Sequence, residues 1–126
     1  MESDVKLGYP HETCGLLIGR QAEGITTVIE AVQAPNLNRE RPGDRYDLDP
    51  KAILVADRES RQKGLEIVGV WHSHPDHPAR PSETDRAAAW ENWSYVILSV
   101  GRDGVREVRS WRLKGAQFQE EEIVYT

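Results

Sequence analysis

Cysteine occurs once in the 126 residues, at Cys14, which excludes an intrachain disulfide and any cysteine-rich metal motif. Cys14 opens the apolar run Cys14-Gly15-Leu16-Leu17-Ile18, where a cysteine reads as a small buried hydrophobe rather than as a nucleophile. No apolar run approaches the roughly 18–20 residues that span a bilayer, and Met1-Glu2-Ser3-Asp4 lacks the basic and then apolar pattern of a secretory leader. A basic stripe is missing too. The arginines are scattered among acids and the formal net charge is −5, which argues against a nucleic-acid surface. Internal repeats and low-complexity tracts are absent. The expectation is one domain, residues 1–126, large enough for a hydrophobic core, not engaged with membrane or nucleic acid, and cytoplasmic.

What is present reads as strands around two helices. Cys14 to Arg20 and Gly24 to Ala34 form a predicted hairpin with the turn Gln21-Ala22-Glu23-Gly24. The polar stretch Pro35 to Asp44 is a loop, either a wall for substrate or a plain connection. Asp49 as cap and Pro50 at the first helical position open a helix that runs to Lys63 and closes at Gly64. Its Ala52, Ile53, Ala56 and Ser60 share a face that is expected to lie on the sheet. Ser94 to Val100 is a nearly continuous apolar strand, turned by Arg102-Asp103-Gly104 into Val105 to Leu113. Phe118 and Ile123-Val124-Tyr125 suggest a short last strand interrupted by Glu120-Glu121-Glu122, read as a solvated turn. The four tryptophans read as packing residues, with Trp71 and Trp90 also placed to shape a cleft.

The chemistry concentrates in His72-Ser73-His74-Pro75 and, after seven intervening residues from His74, Ser82-Glu83-Thr84-Asp85. The histidines follow the β-branched run Ile67 to Trp71, and side chains two apart on a strand share a face. Their Cα atoms then lie roughly 7 Å apart, within reach of one ion at about 2.0–2.1 Å per bond. Ser73 faces away, and Pro75 ends the strand and leaves the pair at its mouth. Ser82 reads as the cap of a helix running through Trp90, on which Ser82 and Asp85 share a face and can project toward the histidines. A carboxylate as third ligand leaves one of four zinc positions open for water. Ser-x-x-Asp alone is an ordinary capping pattern and His-x-His alone is weak. Strand-end histidines, a short proline-bounded loop and a capped helix with a carboxylate, in that order, point to a metal site.

This arrangement resembles the signature of the JAMM (MPN-plus, Mov34-like) zinc metallopeptidases, of the small prokaryotic type, and Tyr9-Pro10-His11-Glu12-Thr13-Cys14-Gly15-Leu16-Leu17-Ile18-Gly19 resembles that family's other hallmark. The resemblance runs from about Tyr9 to the last strands. It implies an α/β fold with a mixed, strongly curved sheet flanked by helices, similar to cytidine deaminases, and one zinc ion per chain held by His72, His74 and Asp85. It also implies that Glu12 moves protons and that Ser82 helps to hold the oxyanion; without it, a glutamate ahead of a strand reads as a solvated charge. His11 and His77 stay outside the implied metal shell. The family carries a helix before the Glu12 motif, whereas this chain has only Met1 to Gly8 there, so a domain lacking that helix is expected.

Small family members imply a substrate class: a ubiquitin-like or sulfur-carrier protein, cleaved after its Gly-Gly tail, with a homodimer as one assembly the family allows. Two other readings stand beside this one. One is a zinc peptidase acting on other links, such as cell-wall peptides. The other is a noncatalytic scaffold like the metal-free MPN domains, against which the intact Glu12, His72, His74 and Asp85 speak.

Overall fold

Leu16 and Ile18 of strand β1 (Cys14–Ala22) pack into one hydrophobic cluster and Leu17 into another, as alternation on a strand dictates. In the computed structural model, which describes residues 1, 9, 13–35, 48–81 and 92–124, these clusters lie on opposite faces of one six-stranded sheet. The strands after β1 are β2 (Ile25–Ala34), β3 (Glu66–Pro75), β4 (Ser94–Gly101), β5 (Gly104–Lys114) and β6 (Gln117–Glu121). Their order across the sheet is β2-β1-β3-β4-β5-β6, with β3 and β4 parallel and the other neighbours antiparallel. The sheet is therefore mixed, as expected.

Helix α1 (Pro50–Gln62) starts where the sequence indicates: Asp49 Oδ1 accepts from Lys51 N at 2.9 Å, with Pro50 just inside. It stops at a Schellman motif, in which Leu65 N donates to Ser60 O (2.8 Å) and Gly64 N to Arg61 O (3.1 Å), with Gly64 at φ 73°. Ser60 is buried, and Ile53 and Ala56 pack against Leu16, Ile18, Ile67, Val70 and Tyr95. The other face holds Leu17, Val68, Trp71, Val96, Leu98 and Val100. Every residue of β4 is buried, the mark of a strand covered on both sides. No helix among the described residues is long and apolar enough to cross a membrane.

A bulge decides which face the end of β3 presents. Leu17 pairs with Gly69 and the next residue, Ile18, with Ile67, so Val68 is the extra residue on β3. Ile67 and Val70 consequently share one cluster while Val68 and Trp71 share the other, a spacing of three where unbroken alternation demands two. Register also shifts between Ile18 and Gly19 against β2 and between Ser99 and Val100 against β5, and such breaks bend a sheet. Strands β3 and β4 approach closely at Gly69, where a Cβ would lie 2.0 Å from the Ser94 carbonyl oxygen.

Two details differ from the sequence reading. The β1–β2 turn is the two residues Glu23 and Gly24, both at positive φ, so Gln21 and Ala22 belong to the ladder and pair with Thr26 and Ile25. The acidic triplet is not a solvated turn: Glu120 and Glu121 lie in β6, where Glu121 accepts from Ser110 Oγ (2.8 Å) and Arg112 Nε (2.7 Å). The cross-strand partners on β5 offset the poor strand propensity of the acids. Ile123 and Val124 follow without regular structure. The Pro35 to Asp44 loop, apart from Pro35, and the helix expected from Ser82 lie outside the described residues.

Candidate metal centre

Strand β3 ends at Pro75, as expected, and brings His72 and His74 together on one face with ring centroids 4.9 Å apart. His72 is fully buried, ring nitrogens included, and His74 is half-buried. Ser73, between them, is also buried and turns the other way. Its Oγ accepts from Thr13 N at 2.8 Å while its own N–H donates to Thr13 O at 2.9 Å. These bonds carry the β1–β3 pairing one step past Cys14 and His72 and pin the residue after Glu12 to the residue between the two histidines. Ser73→Ala should strand the buried Thr13 N–H and cost about 1–3 kcal/mol. Denaturant titration should show the loss, and Ser73→Thr should recover most of it; an unchanged midpoint in the alanine variant would show that the bond contributes nothing.

The loop after Pro75 is tied down residue by residue. Asp76 adopts φ 59°, its N–H donates to Val100 O at 2.7 Å, and its carboxylate accepts from the Tyr9 hydroxyl at 2.9 and 3.1 Å. That hydrogen bond, with partial desolvation and the Asp76 charge, holds the Tyr9 phenol above its ordinary range, against the opposing pull of Arg102 and Arg106. The His77 carbonyl accepts from Ser99 Oγ. The His77 side chain is exposed. Pro78 O stands 3.0 Å from His74 Nδ1.

A carbonyl oxygen can only accept, so this contact places the proton of the neutral His74 ring on Nδ1 and leaves the lone pair on Nε2. Metal-binding histidines are typically oriented by such a bond from the other ring nitrogen. Two imidazoles on one tetrahedral zinc at about 2.0–2.1 Å per bond have centroids about 5 Å apart, which the observed pair matches. The donors present thus fit zinc. Among the described residues no group of three histidine, cysteine, aspartate or glutamate side chains gathers around one point. Asp85, expected as the third ligand, lies outside the described residues, as do Glu12, Ser82, His11 and Trp90. Cys14 is buried, as expected, with its Sγ 3.7 Å from Ala34 O.

A family model described as prokaryotic homologs of the JAB domain matches residues 3–114. The chain belongs to this family. The mixed sheet is accordingly the JAB/MPN fold, and the matched span includes both motifs that carried the resemblance. The desampylase of Haloferax volcanii is 35% identical over 112 residues, 88% of this chain and 76% of the relative. The CysO-cysteine peptidase of Mycobacterium tuberculosis is 32% identical over 124 residues, 98% of this chain and 82% of the relative. The solution structure of a Desulfitobacterium hafniense protein is similar at a TM-score of 0.84 and 32% identity, covering 97% of this chain and 83% of that one.

Sequence reasoning found the histidine pair and missed what holds it. Pro78, Ser99, Glu107 and Trp111 gave no signal, because a backbone carbonyl has none and a glutamate in a strand reads as a solvated charge. Trp111 was expected only to pack.

Proposed function

We propose that this JAB-family protein is a zinc-dependent peptidase or isopeptidase that hydrolyses the bond after the Gly-Gly tail of a ubiquitin-like or sulfur-carrier protein. The observation that carries the metal assignment is the His72–His74 pair at the end of β3, with the His74 proton directed to Pro78 O. Support for the substrate class comes from the relatives, a desampylase and a CysO-cysteine peptidase.

In this reading His72, His74 and Asp85 hold the ion. Bound zinc would supply a Lewis acid that polarises a carbonyl and lowers the pKa of a water to about 7. Glu12 takes the proton from the attacking water and returns it to the leaving amine. The Ser82 hydroxyl donates to the developing oxyanion, where one well-placed donor is worth about 3–4 kcal/mol. Burial of His72 and Ser73 keeps bulk water off the inner side of the site, where charge interactions are strengthened. A Gly-Gly end suits the site because glycine lets the backbone approach the reacting centre without a side chain in the way.

Mass spectrometry on carrier conjugates tests the assignment. The zinc-loaded protein should release the carrier with a free Gly-Gly carboxylate from a conjugate to cysteine or to a lysine amine, and a chelator should stop it. Failure on every Gly-Gly-tailed conjugate, with cleavage of an unrelated peptide, would leave a general zinc peptidase instead. A protein that binds zinc and cleaves neither would be a scaffold.

A further inference from the structure

The carbonyl that orients His74 belongs to a loop residue, and loop carbonyls hold a direction only when the chain on either side is fixed. Here it is fixed from strand β5. Ala79, next to Pro78, is fully buried and has both backbone groups bonded to side chains: its N–H donates to Glu107 Oε1 at 2.8 Å, and its carbonyl accepts from Trp111 Nε1 at 3.0 Å. Glu107 and Trp111 stand four residues apart on β5 and so face the same way. Glu107 is itself steadied by Arg109 Nε at 3.3 Å. On the other side of Pro78, the His77 carbonyl is held by Ser99 Oγ. Pro78 O also accepts from Arg80 N at 2.8 Å, which closes a tight turn around it.

We infer that Glu107 and Trp111 are positioning residues for the metal ligand His74: by gripping both backbone groups of Ala79 they aim Pro78 O at His74 Nδ1, select the Nδ1–H tautomer and present Nε2 to the ion. The inference rests on the zinc reading above. It adds to that reading a device three strands away from β1, on a strand that contributes no ligand. A neutral imidazole in water favours the other tautomer modestly, so a ring released from Pro78 O redistributes its proton and offers Nε2 for only part of the time. Outer partners of metal-bound histidines typically matter about 10–100-fold in metal affinity.

The test uses the whole chain and two readouts. Long-range proton–nitrogen spectra of the zinc-free protein near about pH 8, where an imidazole of ordinary pKa about 6.5 is neutral, report the His74 tautomer directly. Competition against a chromophoric chelator reports zinc affinity. The wild type should show Nδ1–H at His74. Trp111→Phe keeps most of the ring while removing the donor, and Glu107→Ala removes the acceptor; each should mix the tautomers and weaken zinc about 10-fold or more. Glu107→Gln keeps an oxygen for Ala79 N–H and should restore both readouts. If Trp111→Phe does not fold, the Glu107 pair decides alone.

A His74 that stays Nδ1-protonated in the variants, or zinc affinity within twofold of wild type, overturns the inference, as does a wild type in which Nε2 carries the proton. A wild type that shows Nδ1–H yet binds no zinc would instead overturn the proposed function. The tautomer would still report whether the β5 clamp orients the ring.

Discussion

Glu12→Gln should keep one zinc per chain and lose most hydrolysis, by about 10²–10⁴-fold, the usual contribution of a positioned acid–base group. Glutamine preserves the size of the side chain and its capacity to hydrogen-bond, so folding and ligand geometry are left alone, but the amide cannot accept a proton at neutral pH. Thr13, the residue after Glu12, is bonded twice to Ser73 between the two histidines. The measurement is turnover of a carrier conjugate at saturating zinc, with metal content determined on the same sample. Full activity at full occupancy would put the proton shuttle on another group. Ser82→Ala makes a useful comparison, because it should cost less in rate, and if Ser82 caps a helix as its sequence context predicts, about 1 kcal/mol of stability goes with it.

The parts of the fold that could be read in advance are those set by local chemistry. Asp49-Pro50 and Gly64 bracket α1 because a capping carboxylate, a residue without an N–H and a glycine at positive φ each have a defined place at a helix end. The apolar run of β4 announced a doubly covered strand. The bulge at Val68 was not legible. Ile67-Val68-Gly69-Val70 looks like any buried run, and the extra residue exists only because β1 pairs past it. Nor was the strand character of Glu120 and Glu121, which depends on Arg112 and Ser110 coming from the neighbouring strand.

The site divides along the same line. His72 and His74 share a face by the two-residue period of a strand, and that much is a property of the sequence. Which face they share depends on the bulge, since one residue more or fewer in β3 would reverse every side chain beyond it. The tautomer of His74 is further still from the sequence. It is decided by a carbonyl in a loop, and the direction of that carbonyl by two β5 side chains about 30 residues away in the chain. The identity of the proposed ligands is thus written in the motif, whereas the orientation of the His74 ring is a product of tertiary structure.

Removing one imidazole should remove the ion. His74→Ala leaves His72 and Asp85 as the expected ligands, and a zinc site with two protein donors loses the closed geometry that competes with water and buffer. Elemental analysis should give one zinc in the wild type and essentially none in the variant; full zinc in His74→Ala would reject this site outright. Stability should follow occupancy. An ion that binds only the folded chain stabilises it by about 4 kcal/mol when its free concentration is about 1,000 times its dissociation constant. Wild type stripped with a chelator should therefore melt well below the zinc-loaded protein, and His74→Ala should melt at one temperature with or without chelator. The variant should still fold, because the clusters around Leu16 and Val70 and around Leu17 and Leu98 do not include His74. A variant that binds no zinc and also fails to fold would mark the site as structural, with the ion needed to close the sheet rather than to serve a reaction.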